Sequence, residues 1–122
     1  MYTKEELPCI GANAYVCPIE NTLRILDGKW KVMILYALLT DGTLRFGELR
    51  KRLPGITQKM LTAQLRELEQ KAVIKRKVYP VVPPKVEYSP TTTGRSLRSV
   101  FDAMHQWGVM HDPKPQVYVK QG

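Results

Sequence analysis

LRFGELRKRLPGITQKMLTAQLRELEQKA, residues 44–72, decides the fold. Leu44 to Leu53 opens as a short extended piece and continues as a helix on which Phe46, Leu49 and Leu53 recur at i, i+3 and i+7. Pro54-Gly55 breaks it. Thr57 then offers the hydroxyl with which a helix N-cap accepts an orphaned backbone N–H, and a second helix is expected from there to about Lys71. At about 100° per residue, Leu61, Leu65, Leu68 and Ala72 fall in one narrow arc that must face the core, which fixes the opposite face as well. Two helices across a tight glycine-containing turn form a helix-turn-helix.

Upstream, Cys17-Pro18 followed by Ile19, Leu23 and Leu26 reads as a short helix with proline in its first turn, ended by Gly28. Lys29 to Thr40 is a further helix. Trp30, Met33, Ile34, Ala37 and Leu38 form one stripe on it, and Val32, Leu35 and Leu39 make the other side apolar too, so it belongs in the middle of a core. Asp41-Gly42 stops it. Downstream the period changes: Val73, Ile74, Val78 and Tyr79, then Val86 and Tyr88, read as two strands around a stiff tip, Pro80-Val81-Val82-Pro83-Pro84. Thr91 is expected to cap one last long helix carrying Leu97, Val100, Phe101, Met104 and Trp107 on one face. The expected fold is mainly α with a small β-hairpin (α+β): a dimeric winged helix-turn-helix with a helix added at each end. Residues 1–122 are read as a single domain, with 1–16 an N-terminal arm and 113–122 a loose tail.

A chain of 122 residues, 43% apolar and 25% charged, can bury a core without disulfide or metal staples. Its longest apolar stretch, Val32 to Leu39, falls well short of the ~20 residues a membrane span needs, and Met1 to Leu7 lack a secretory pattern, so a cytoplasmic protein is expected. Cys9 and Cys17 are too few for a disulfide framework and are expected as reduced thiols. The formal net charge is +8. Between Arg45 and Lys85 lie eleven Lys and Arg against three acids, so this stretch carries the whole excess and the flanks are neutral. Such a confined basic patch is the footprint of a nucleic-acid partner.

The exposed face of the second helix of the pair holds Lys59, Thr62, Ala63 and Arg66, with Thr57 and Gln58 at its start. Cations, hydroxyls and amides there can bond phosphates or base edges in a major groove, and small Ala63 lets the backbone approach and can touch a thymine methyl. Arg45 precedes the pair, and Lys75, Arg76, Lys77 and Lys85 flank the hairpin tip, where a wing lies along the backbone or the minor groove. The plainer alternatives are an amphipathic surface helix and a charged hairpin that avoids edge pairing. The terminal helices suit a two-fold seam built from Ile19, Leu23, Leu97, Val100, Phe101, Met104 and Trp107, which would present two recognition helices about 34 Å apart to palindromic double-stranded DNA. Cys9, Cys17, His105 and His111 lack zinc-site spacing. No phosphate-binding glycine loop, nucleophile elbow or metal motif is present, so neither an enzyme nor a cofactor is expected. A sequence-tolerant architectural DNA binder and a protein-interaction module are the rival functions.

The chain resembles the HxlR-type winged helix-turn-helix regulators. The resemblance is carried by Cys17-Pro18-Ile19-Glu20, Gly28-Lys29-Trp30-Lys31, Leu44-Arg45-Phe46-Gly47-Glu48-Leu49, the run from Leu53 to Thr62, Leu65-Arg66-Glu67-Leu68-Glu69, the run from Val78 to Tyr88, and Gly94-Arg95-Ser96-Leu97. Together these cover residues 17–108 in order. It implies a homodimer on operator DNA, and in some members a response to electrophiles, aldehydes, quinones or disulfide stress through a cysteine ahead of or within the first helix. Cys17 stands at the family's Cys-Pro position, and Cys17 with Cys9, which has no clear counterpart, are the candidate thiol sensors. Pairing between them across a seven-residue spacer, or between subunits, is an alternative that sequence alone does not decide. At a helix N-terminus the Cys17 thiolate would be stabilised by the helix dipole; the alternative is a cysteine simply packed as a small apolar residue. The sequence departs from the usual pattern at Pro90 and Thr92, which bears on how the last helix starts.

Overall fold

Helix α2 (Lys29–Asp41) is the centre of the core, with Ile34, Leu35 and Leu38 fully buried. A helix apolar on both sides must be covered on several faces. It packs against α3 (Phe46–Arg52), α4 (Gln58–Gln70) and the sheet, leaving Met33 and Tyr36 exposed along one edge. The structure, a computed structural model, describes residues 17–112; the expected N-terminal arm, the loose tail and Cys9 lie outside the described residues.

The helix pair closes as its sequence dictates. Leu49 and Leu53 on one side and Leu61, Leu65 and Leu68 on the other are all buried. The turn between them uses Gly55 at φ +92°, a left-handed conformation that costs glycine nothing. Ile56 N–H then donates to the Leu53 carbonyl (3.1 Å), and the Thr57 hydroxyl accepts from Met60 N–H (3.1 Å) to start α4. Upstream, α1 (Pro18–Ile25) buries no residue of its own, and Leu26 just beyond it joins the core.

Three antiparallel strands, β1 (Leu44–Arg45), β2 (Ile74–Tyr79) and β3 (Lys85–Pro90), lie in the order β1-β3-β2. Register aligns Leu44 with Tyr88 and Tyr88 with Arg76; the neighbouring row is Arg45, Glu87 and Lys77. Successive side chains on a strand point to opposite faces. Leu44, Ile74 and Tyr88 are buried, so that row's face, which includes Arg76, is the one turned to the helices. Arg45, Lys75, Lys77, Tyr79, Lys85 and Glu87 occupy the outer face.

Two expectations are corrected. The last helix is two helices: Thr91 caps only α5 (Thr92–Arg95), accepting from Gly94 N–H at 3.0 Å, and α6 (Arg98–His111) begins after a break. At the break the hydrogen bonds tighten to three residues, Ser96 N–H to the Thr93 carbonyl and Leu97 N–H to that of Gly94. Ala72 is not on the core face of α4 either. The helix has ended, and Ala72 is exposed at φ 59° where the chain turns into β2. A left-handed alanine costs about 1 kcal/mol or more that glycine avoids, against glycine's larger unfolded-state entropy. Ala72→Gly is therefore expected to stabilise the fold by about 0.5 kcal/mol, read as a rise in the urea midpoint at unchanged slope.

Candidate nucleic-acid interface

Gln58, Lys59, Ala63 and Arg66 are exposed on α4, with Thr62 half-buried beside them, and together they line one shallow concave surface. The two expected threonines act differently from the rest. The Thr57 hydroxyl is engaged in starting the helix, and the Thr62 hydroxyl donates to the Gln58 carbonyl (2.9 Å), so Thr62 offers a ligand only lone pairs and a methyl group. Lys59 and Arg66 make no ion pair among the described residues, which leaves both charges available.

Beside its buried leucines, α4 has a polar tie to α2 through Lys31, a residue to which the sequence analysis gave no structural role. Lys31 on α2 is 6% exposed and its ammonium pairs with the Glu67 carboxylate on α4 while donating to the Asp27 carbonyl (3.3 Å). Glu67 follows Ala63 by one turn, on the flank between the exposed face and the buried leucines, so the bond ties the rotation of that helix to α2. The sequence signal was a lysine two residues into an apolar helix, Lys31, on the side that the helix buries.

The hairpin cations do not act as one group. Arg76 shares the helix-facing side of the sheet with Tyr88, next to Arg66 of α4. Lys75, Lys77, Lys85 and Arg45 are on the outer face, where Lys77 and Lys85 stack over the Tyr79 ring at 4.9 and 4.8 Å and Lys85 pairs with Glu87 at 3.5 Å. The hydrogen bond from Tyr79, followed by the charges of Lys85 and Arg45, holds the Glu87 carboxyl below its ordinary value of 4.5. A group whose pKa falls on folding stabilises the fold above its unfolded pKa, and loses that contribution as pH drops through the lowered folded value. Acidification below the ordinary carboxylate range should thus loosen the wing, and Glu87→Gln should flatten the acid limb of a thermal-melt pH profile.

The apolar face of the terminal helices is only partly available. Ile19 (68% exposed) and Leu23 on α1 and Met104, Trp107 (65%) and Met110 on α6 stand open. Leu97 and Val100 are half-buried, and Leu97 packs on the core. Phe101 is corrected: at 3% exposure, edge-on to Tyr36 with centroids 6.4 Å apart, it belongs to this subunit's own core and has no side left for a partner. The first turn of α6 docks and the remainder stands out.

Cys17, also 6% exposed, precedes α1, its carbonyl accepting from Asn21 N–H at 2.9 Å. It is disulfide-bonded, not the reduced thiol expected. Pairing depends on whether the fold brings two Cβ atoms within bridging distance, which cysteine count and compartment do not encode.

A helix pair with an exposed cationic second helix, followed by an antiparallel wing, matches one family model, HxlR-like helix-turn-helix, over residues 25–116. The chain belongs to the HxlR-like helix-turn-helix family. Among its relatives is YdeP of Bacillus subtilis (strain 168), called an uncharacterized HTH-type transcriptional regulator, 59% identical over 92 residues that cover 75% of this chain and 71% of YdeP. Of solved structures, the redox regulator HypR in its oxidized form superposes with a TM-score of 0.72 at 48% identity, covering 83% of this chain and all of that one (100%). The reduced form of the transcriptional regulator YodB from B. subtilis gives 0.71 at 35% identity, over 84% of this chain and 100% of YodB. The winged helix-turn-helix fold expected from the sequence is the fold of this HxlR-like chain. Among the described residues, no helix is long and apolar enough to cross a membrane.

Proposed function

We propose that this chain is a transcriptional regulator that binds operator DNA as a homodimer, with α4 in the major groove and the wing on the adjoining backbone. The observation that carries this is the exposed face Gln58, Lys59, Thr62, Ala63 and Arg66, unencumbered by ion pairs among the described residues and held in orientation by buried Lys31. Family membership and the regulators among its relatives support the same reading. The dimer rests on α6, which from Asp102 onward touches little of its own subunit. Trp107 there is held by stacking on His111, centroids 4.4 Å apart, a preformed aromatic anchor for a second copy.

Titration of the purified protein with its own promoter duplex and with a scrambled duplex, at several salt concentrations, tests the reading. Preference for the promoter supports a regulator; equal, steeply salt-dependent binding to both would support a sequence-tolerant architectural protein instead. A thiol switch at Cys17 is a second reading, favoured by its disulfide at the start of the exposed helix α1 and by the likeness to HypR. Reduction by a dithiol adds two electrons and two protons and yields two thiols. Promoter affinity that differs between dithiol-treated and diamide-treated protein, and no longer differs in Cys17→Ser, supports the switch; equal affinity in both states discards it.

A further inference from the structure

Between α4 and the sheet lies a cleft of about 250 Å³ lined by Thr62, Leu65, Arg66, Glu69, Arg76 and Tyr88. Its floor is firm: Leu65 is 2% exposed and Tyr88 9%. Its lining includes two arginines, Arg66 from the helix and Arg76 from the strand, brought to one cleft because Arg76 pairs in register with Tyr88 and so faces α4. Neither arginine makes an ion pair among the described residues, although Glu69 is one of the lining side chains. Two cations against one carboxylate leave the cleft positive.

We infer that this cleft is the seat of a single DNA backbone phosphate, gripped jointly by Arg66 and Arg76, at the point where the strand passes from the major groove under α4 toward the wing. A guanidinium presents its N–H groups as a planar fork that fits phosphate oxygens, and two forks converging from different elements fix one phosphate in position as well as in charge. The inference rests on the proposed DNA-binding function and reassigns Arg66 within it. The base-reading face of α4 then shrinks to Gln58, Lys59, Thr62 and Ala63, and Arg66 sets the register in which they meet the bases. It also separates Arg76 from Lys75, Lys77 and Lys85, which face the other way.

The test compares wild type, Arg66→Gln, Arg76→Gln and the double variant on a duplex selected from a random library by the wild-type protein and on a scrambled duplex. Both arginines are exposed, so circular dichroism should show intact folds. Each single change is expected to weaken both duplexes alike, by about tenfold per half-site, and to lower the salt slope by ~0.9 per half-site. The double variant should lose little more than either single one, because one phosphate is lost once. A duplex carrying a neutral methylphosphonate at each backbone position in turn should reveal one phosphate per half-site whose neutralisation weakens wild type but not the double variant. Loss confined to the selected duplex in Arg66→Gln, additive losses with a doubled change in slope, or no loss at all would overturn the shared seat while leaving DNA binding intact. If the wild-type protein binds neither duplex, the proposed function itself falls.

Discussion

Trp107→Glu is expected to yield a monomer and to weaken binding to a palindromic duplex by about a hundredfold or more, because the second half-site is no longer engaged intramolecularly. Trp107, Met104 and Met110 project from a stretch of α6 exposed throughout, and Ile19 and Leu23 add apolar surface from α1. Single exposed apolar side chains are ordinary on a soluble protein, but six on two helices, Val109 included, need a cover. Burial of a tryptophan contributes about 2–3 kcal/mol, and a two-fold seam uses each residue twice. A glutamate in its place brings a charge that must be desolvated, so the substitution removes attraction and adds a penalty. Sedimentation at micromolar concentration and titration of one-half-site and two-half-site duplexes read both effects. The single half-site should be bound as before, since α4 is untouched. A dimer that survives with undiminished affinity would place the seam elsewhere.

Gly94→Ala should be the most damaging single methyl group in the fold, lowering stability by about 3 kcal/mol. A Cβ at this position would collide with the Val73 carbonyl oxygen, lie 3.1 Å from the Val73 carbonyl carbon and press on Pro90 at 3.4 Å. The obstacle is backbone, which cannot rotate away as a side chain would. It is also backbone under constraint: Thr91 N–H donates to that same carbonyl at 3.1 Å, and the Thr91 hydroxyl donates to the Ala72 carbonyl at 2.7 Å. These bonds clip the end of α4 to the start of α5 across the beginning of β2. Relief of the clash must therefore move α5 or the strand, and with it the wing. Urea unfolding should show the midpoint fall, and DNA affinity should drop more on a duplex long enough to reach the wing than on one that ends beneath α4. A midpoint within experimental error of wild type would mean that the α5 junction yields freely.

The helix pair was legible because three signals agreed within one stretch: leucines at helical spacing, a Pro-Gly break and a threonine N-cap. Where only one signal was present, reading stopped short. The apolar run along the last helix is continuous through Leu97 and Phe101, and nothing in its period reveals that the hydrogen bonds tighten at Ser96 or that Phe101 turns inward against Tyr36. Both follow from tertiary packing. The basic residues of the hairpin were visible, and alternation along a strand already sets Arg76 opposite to Lys75 and Lys77, but not which of the two faces meets α4; that depends on how the strands close around the proline-rich tip, and a shift of one residue would exchange the two faces. The structural role of Lys31 was missed because a cation near the start of an apolar helix gains meaning only when a partner such as Glu67 is seen beside it. The disulfide at Cys17 is likewise a matter of proximity.

The central claim is that the exposed face of α4 enters the major groove, and Ala63→Glu tests it most directly. Ala63 is exposed in the middle of that face and takes no part in the core, so a glutamate there should leave the helical spectrum and the oligomeric state unchanged. Against DNA it sets a bulky anion where the backbone must come close to base edges and phosphates. The expected result is a loss of affinity for the selected duplex of about a hundredfold or more, with preference over scrambled DNA abolished. A folded Ala63→Glu protein that binds the selected duplex as wild type does would contradict the claim and move the DNA interface to another surface.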